Sequence, residues 1–163
     1  MGEAAVFFTS IDSIRDKEEF LSFRHPIVVS RGKVHRIHTL PGFAAMEGDS
    51  IKGLITYQIH GNACEIVSLD SKEENQGIGT ALIHLVIDCA RERKCQRVWL
   101  VTTNENIRAI RFYQKRGFDM KRIHRFAVDE ARKLKPSIPL YSEDGIPIRH
   151  EIEFEMRLGD ADQ

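Results

Sequence analysis

Long apolar runs are missing from this chain. No uncharged stretch approaches the roughly 20 residues needed to cross a bilayer, and Glu3 is followed by no extended apolar segment, so neither a membrane span nor a signal peptide is expected. Val6 stands where an N-myristoylation motif needs Ser or Thr. Surplus charge is missing too: Lys and Arg number 24, Asp and Glu 24. That balance leaves no overall field for holding nucleic acid or an anionic membrane. The three cysteines, Cys64, Cys89 and Cys95, are an odd number without a C-x-x-C pair, which argues for free thiols in a reducing compartment and a cytoplasmic location. No repeat, low-complexity tract or linker divides the 163 residues, and a single domain over 1–163 is the economical reading of that length.

What is present is a regular succession of periodic segments. Residues 4–8 form a short apolar run suited to a first strand, and 11–23 read as a charged amphipathic helix carrying Ile11, Ile14, Phe20 and Leu21, ended by His25-Pro26. The basic, histidine-rich segment 30–40 fits no single pattern and closes at Pro41-Gly42. Three strands in hairpin order follow at 43–46, 51–59 and 64–69. A helix then buries Ile78, Leu82, Leu85, Val86 and Cys89 on one face. Residues 97–101 read as a strand buried on both faces, 107–116 as a second helix, 118–123 as a strand and 127–135 as a short helix stopped by Pro136. Finally, 151–158 alternate strictly, with Ile152, Phe154, Met156 and Leu158 facing inward. The order describes an α/β fold whose mixed sheet has antiparallel N-terminal strands and a parallel centre.

The most informative segment joins the strand at 65–69 to the first long helix: Gly77-Ile78-Gly79-Thr80. The first N–H groups of a helix lack internal acceptors, and glycines at such a turn let a phosphate approach them and the positive end of the helix dipole. Two common phosphate motifs are excluded. A dinucleotide fingerprint would need glycine where Leu82 stands, and a P-loop would need lysine directly after a glycine.

One strand further on comes a second motif: Asn106, Ala109, Phe112, Tyr113, Gly117 and Phe118 in the pattern N-x-x-A-x-x-F-Y-x-x-x-G-F. The glycine turn followed at this distance by that pattern resembles the GNAT family of acyl-CoA-dependent N-acetyltransferases, most strongly over residues 43–124. The resemblance implies a single GNAT-like domain with a splayed parallel centre and flanking helices. It also implies acetyl-CoA as co-substrate and transfer of an acetyl group to a primary amine, on a small molecule or a peptide, by direct attack through a tetrahedral intermediate. Its pyrophosphate would rest on Gln76, Gly77, Ile78, Gly79 and Thr80, mainly through backbone N–H groups. The helix of Asn106, Ala109 and Tyr113 would border the pantetheine arm. Glu74 occupies a position where the family usually has Gln or Arg, and it is expected to face solvent or a basic neighbour.

Three residues would carry the chemistry. The resemblance implies that the Leu69 backbone N–H, by its position, would polarise the acyl carbonyl and that Tyr113 would return a proton to the departing sulfur. Glu65 is the choice of base for the acceptor ammonium, directly or through water. Strict alternation along the strand puts Glu65 on the face of Val67 and Leu69, and desolvation by Ile66 or Trp99 would bring its pKa toward neutrality.

The acceptor itself is not specified. Arg31, His35, His38, Arg149 and Glu151 are its polar candidates, and pairing of two copies through terminal strands is a further expectation. His35 and His38 lack a third ligand, so no metal is expected. Trp99 reads as packing and the cysteines as small buried residues. A second function class stays open at this point, a non-catalytic acyl-CoA sensor of the same fold.

Overall fold

Seven of the nine strands seen in the computed structural model, which describes residues 5–72 and 77–159, form one sheet in the order β1-β4-β5-β6-β7-β9-β8. These are β1 (Val6–Ser10), β4 (Gly42–Glu47), β5 (Ser50–His60), β6 (Ala63–Ser71), β7 (Arg97–Thr103), β8 (Asp119–His124) and β9 (Glu151–Arg157). The other two, β2 (Ile27–Ser30) and β3 (Lys33–Arg36), make a separate hairpin. Helices α1 (Glu18–Ser22), α2 (Ile78–Glu92), α3 (Ile107–Lys115) and α4 (Ala127–Leu134) complete the described elements. Every neighbouring pair in the large sheet is antiparallel except β6 with β7, the mixed arrangement expected from the sequence.

That one parallel contact is short. Ala63 pairs with Arg97, Cys64 with Val98 and Glu65 with Trp99, and pairing stops there although both strands continue. Each strand follows its other partner. β7 stays with β9 along its whole length, from Arg97↔Arg157 to Thr103↔Glu151. β6 stays with β5 and carries a bulge: Thr56 faces Ser68 while Tyr57 faces Ile66, which leaves Val67 as the extra residue. A bulge bends its strand and increases the local twist, so β6 and β7 open into a wedge. The closed end is pinned by Asn62 and Gln96, whose backbones bond at 2.7 Å and side chains at 2.9 Å.

Helix α2 lies across one face. Ile78, Leu82 and Val86 are buried as their spacing predicts, joined by Ile83, Ile87 and Ala90, while Leu85 and Cys89 are half-buried. They pack with Cys64, Ile66, Val98, Leu100, Phe118 and Phe154. On the opposite face Ile11, Ile14 and Phe20 close over Ala44, Met46, Ile51 and Leu54.

Three segments depart from the sequence reading. The expected helix over 11–23 is a 3₁₀ turn at Ile11–Ser13 and, after a break, the short α1. Ser10 accepts a bond from the Asp12 N–H, and the Arg15 guanidinium ties the break to the carbonyls of His38 and Leu40; tertiary bonds replace helical continuity. The segment 30–40 is the β2–β3 hairpin and a 3₁₀ turn. Arg31 and Gly32 both have positive φ, 50° and 75°, as a two-residue type I′ turn requires. In β7 the sides alternate, Val98 and Leu100 buried, Trp99 and Val101 half-buried.

β9 departs in a different way. Its apolar side is inward as expected at Phe154, but Glu151 and Glu153 on the other side are also buried, 3% and 6% exposed. Buried carboxylates need partners, and these have them. Arg31 Nη1 reaches Glu151 Oε1 at 3.2 Å, and Arg97 Nη1 reaches Glu153 Oε2 at 3.3 Å and Glu155 Oε1 at 3.1 Å. His124 Nε2 lies 2.8 Å from Glu153 Oε1 and Lys121 Nζ 3.3 Å from Glu155 Oε1.

Burial alone would raise the pKa of both Glu153 and Glu155. Bonds from His124 and Arg97 to the first, and from Arg97 and Lys121 to the second, outweigh it and hold both below the ordinary value. A depressed folded-state pKa adds stability above the unfolded pKa and loses it as pH falls through the folded one. Replacing Arg97 by Met is therefore expected to destabilise the protein by about 3 kcal/mol at neutral pH. In urea titrations that deficit should shrink as pH falls below 4.5, the ordinary carboxylate value; a deficit constant across pH would contradict the assignment.

Candidate functional site

Helix α2 starts where the glycine turn predicts, with Gly77 as its N-cap in the left-handed region at φ 74°. A Cβ there would meet nothing within 4 Å among the described residues, so the position requires glycine for its backbone, and no described side chain covers the helix end. Gly79 is small for a different reason. A Cβ on it would stand 3.2 Å from Phe112 Cζ, so its missing side chain seats the α3 aromatic against the first turn of α2. Gln76 and Glu74 lie outside the described residues.

The open end of α2 forms one wall of a groove of about 600 Å³. Gly77, Ile78, Gly79 and Thr80 line it from α2, Leu69 from β6, and Asn106, Ala109 and Tyr113 from α3. Apart from Gln76, every cofactor-binding position expected from the sequence thus borders one cavity. The sequence reading missed its cations: Arg108, Arg111, Lys115 and Arg116 also line it. The spacing of three and four residues puts Arg108, Arg111 and Lys115 on one side of α3, with Arg116 as its C-cap, a signal present in the sequence but overshadowed by the aromatic pair between them. Arg116 is anchored through its guanidinium. Its Nε donates to Thr80 Oγ1 at 3.0 Å and its guanidinium sits 4.0 Å over the Phe112 ring, which links the ends of α2 and α3. Among the described residues the lining holds one carboxylate, Asp70, and Arg24 Nη1 pairs with it at 2.8 Å. An open helix N-terminus beside four cations fits a ligand with several phosphates.

Asn106 and Tyr113 are held by α3. Asn106 is its N-cap, with Oδ1 accepting from the Ala109 N–H at 3.1 Å, which leaves the Nδ2 side of the amide to offer a ligand carbonyl. The Tyr113 ring packs edge-on against Phe112 and Phe118 and tilted against Phe154. Burial, helped by the Asp70 charge, raises its pKa, so the phenol keeps its proton.

Leu69 and Glu65 relate differently from the strict alternation expected. The Lys72 N–H donates to Lys52 on β5. Successive residues of a strand turn their N–H groups to opposite sides, so the Leu69 N–H, three residues before, points away from β5 into the wedge. Its side chain, though, packs with the α2 core, as do Cys64 and Ile66. The bulge at Val67 shifts the alternation, and Glu65 and Leu69 face opposite sides of the sheet. Ser68, whose Oγ is 2.6 Å from Thr56 Oγ1, shares the Glu65 side.

Glu65 occupies the last paired position before the wedge opens, and it is 9% exposed. Ser30 Oγ donates to its Oε2 at 2.8 Å, and His35 Nε2 stands 3.8 Å from Oε1. Desolvation raises its pKa above the ordinary 4.5, and Glu151 and Glu153 add to that, while the Ser30 bond and the Lys33 charge oppose it. The direction and its main cause, desolvation, agree with expectation, but Ile66 lies on the far face, and the nearby Glu151 and Glu153 carboxylates add to the rise.

The acceptor candidates divide. Arg31, His35 and Glu151 gather around Glu65. His38 instead packs beside Phe20 in a 3₁₀ turn, and Arg149 lies over the Phe126 ring at 5.0 Å. Among the described residues no cluster of His, Cys, Asp and Glu is arranged to hold a metal, and no helix is long and apolar enough to cross a membrane. Burial pushes the Cys64 thiol up to about 12, which leaves it unreactive.

Known proteins place this architecture. The family model described as acetyltransferase (GNAT) family matches residues 8–118. The uncharacterized protein YdhI of Bacillus subtilis strain 168 is 51% identical over 129 residues, 78% of this chain and 80% of that protein. A Bacillus subtilis acetyltransferase solved in complex with CoA is 25% identical with a TM-score of 0.61, over 74% of this chain and 78% of that one. The fold is shared across still more of the chain by the IAA acetyltransferase from Bacillus cereus ATCC 14579, at 20% identity and a TM-score of 0.68, covering 94% of this chain and all of that one. The chain described here belongs to the acetyltransferase (GNAT) family.

Proposed function

We propose that the protein transfers an acetyl group from acetyl-CoA to a primary amine on a small molecule or peptide. The single observation that carries this reading is the wedge between β6 and β7. On its α2–α3 side lies the cation-lined groove and on the other, at its apex, a buried carboxylate with a raised pKa, and together these support the reading. The relative solved with CoA supports the same choice of ligand. The first turn of α2, Thr80 and Arg116 hold the pyrophosphate, and Asn106 steadies the pantetheine amides. Acetyl-CoA supplies a thioester carbonyl activated toward nucleophiles.

The chain's own groups then move two protons and steady one charge. Glu65 accepts the proton that an ammonium with an ordinary pKa of about 10 must lose before its nitrogen can attack. The Leu69 N–H donates to the acyl oxygen as negative charge develops there. When the carbon–sulfur bond breaks, the Tyr113 phenol gives its proton to the leaving sulfur. The result is an amide and a free thiol.

Release of free thiol from acetyl-CoA, followed against a broad panel of amines, peptides and aminoglycosides, is the primary test. Turnover with at least one of them is expected; tight CoA binding without turnover on any would favour a sensor. Tyr113→Phe should lower kcat by about 100-fold while leaving the KM for acetyl-CoA nearly unchanged. Arg116→Met should instead raise the Kd for CoA by about tenfold with little change in kcat.

For Glu65 a readout independent of activity exists. Its folded-state pKa is raised above the unfolded value, so its contribution to stability is present at low pH and lost as pH rises through the folded pKa. Glu65→Gln should therefore raise Tm at neutral pH, gain nothing near pH 3, and remove the acid limb of kcat/KM. Retention of that limb would show that another group is the base.

A further inference from the structure

His35 is unusual among the polar groups on the Glu65 side. It is 3% exposed, on the inner side of β3, yet its Nε2 has no hydrogen-bond partner among the described residues. Burying an unsatisfied ring nitrogen is costly. The polar atom it faces is Glu65 Oε1 at 3.8 Å, too far for a direct bond and a span that one water bonded to both would bridge. The other carboxylate oxygen, Oε2, already takes the Ser30 hydroxyl. Both contacts therefore come from a single hairpin, which the Arg31–Gly32 turn folds back on the sheet.

We propose that His35 is a positioning residue for Glu65, holding Oε1 through one buried water on its Nε2 while Ser30 holds Oε2. This rests on the reading of Glu65 as base. Clamped at both oxygens, the carboxylate presents one fixed orientation to the acceptor, and its affinity for a proton is set by the hairpin. A donor on the charged form lowers a carboxyl's pKa; the clamp therefore opposes the upward push of desolvation.

The charged surroundings leave His35 able to play this part. Lys33 lies on its own strand and Arg31 in the turn; Glu65 faces it from β6. Behind Glu65 stand Glu151 and Glu153 on β9 and Arg97 on β7, with His124 on β8 occupied by Glu153. Desolvation and the Lys33 charge both lower the His35 pKa. The ring is therefore neutral at working pH, with one nitrogen a donor and the other an acceptor.

The test is the pH profile of kcat/KM for thiol release with any amine that turns over. His35→Phe removes the donor and should move the acid limb up by about one pH unit, with the CoA-induced rise in Tm unchanged. His35→Gln, whose amide reaches the Nε2 position, should restore the limb to within a few tenths of a unit. If His35→Phe gives no CoA-induced rise in Tm and has not folded, His35→Asn carries the same test, since its amide stops short of Nε2. An unmoved limb in whichever variant folds overturns the role of His35. Glu65→Gln separates the two claims. If it abolishes the limb while His35→Phe leaves it in place, the base assignment stands and the positioning role fails; if it too leaves the limb, the base assignment fails and takes this inference with it.

Discussion

Everything at the site depends on how briefly β6 and β7 pair. Three residue pairs hold the strands together, and beyond Glu65 and Trp99 the backbone groups on their facing edges are released from the ladder. A parallel pair extended by a few more residues would close the wedge and consume the Leu69 N–H. The fold prevents this by giving each strand a better partner elsewhere: β9 takes all of β7, and β5 takes β6 through a bulge. The opening is a consequence of sheet register, so it exists before any ligand arrives.

That register also divides the labour. On one face, α2 and α3 bring an open helix end and a row of cations to the wedge, with Gly79 small enough to let Phe112 and then Arg116 close in. The other face gathers carboxylates, and most of them are neutralised: Glu151 by Arg31, Glu153 by Arg97 and His124, and Glu155 by Arg97 and Lys121. Glu65 differs, meeting only a hydroxyl at bonding distance and a neutral ring further off. Among the described carboxylates of that face, its charge has no cation at bonding distance. The ammonium group of the proposed acceptor would supply one, and in the proposed reaction its proton would be removed at that place.

Much of this was legible in the sequence because it rests on local signals. The glycine turn, the apolar periodicity of α2 and the N-x-x-A-x-x-F-Y pattern each act within one turn of helix or one strand, and together they located the groove. What escaped was set by contacts distant in sequence. The helix expected over 11–23 gave way to bonds between Arg15 and carbonyls more than twenty residues away. The β2–β3 hairpin turns on Arg31-Gly32, a pair that lacks the usual Asn or Asp, so the segment looked merely basic. Strict alternation failed at Val67 because a bulge is a property of two strands and leaves no periodic trace in one. That single residue separates the sides of Glu65 and Leu69.

A crystal structure with CoA joined covalently to an accepted amine through an acetyl bridge examines the central claim most directly. The account predicts phosphates against residues 77–80 and Arg116, the bridge passing between β6 and β7 with its oxygen on the Leu69 N–H, and the amine nitrogen emerging toward Glu65. A bridge that stays wholly on the α2–α3 face, with the amine directed away from Glu65, would contradict it.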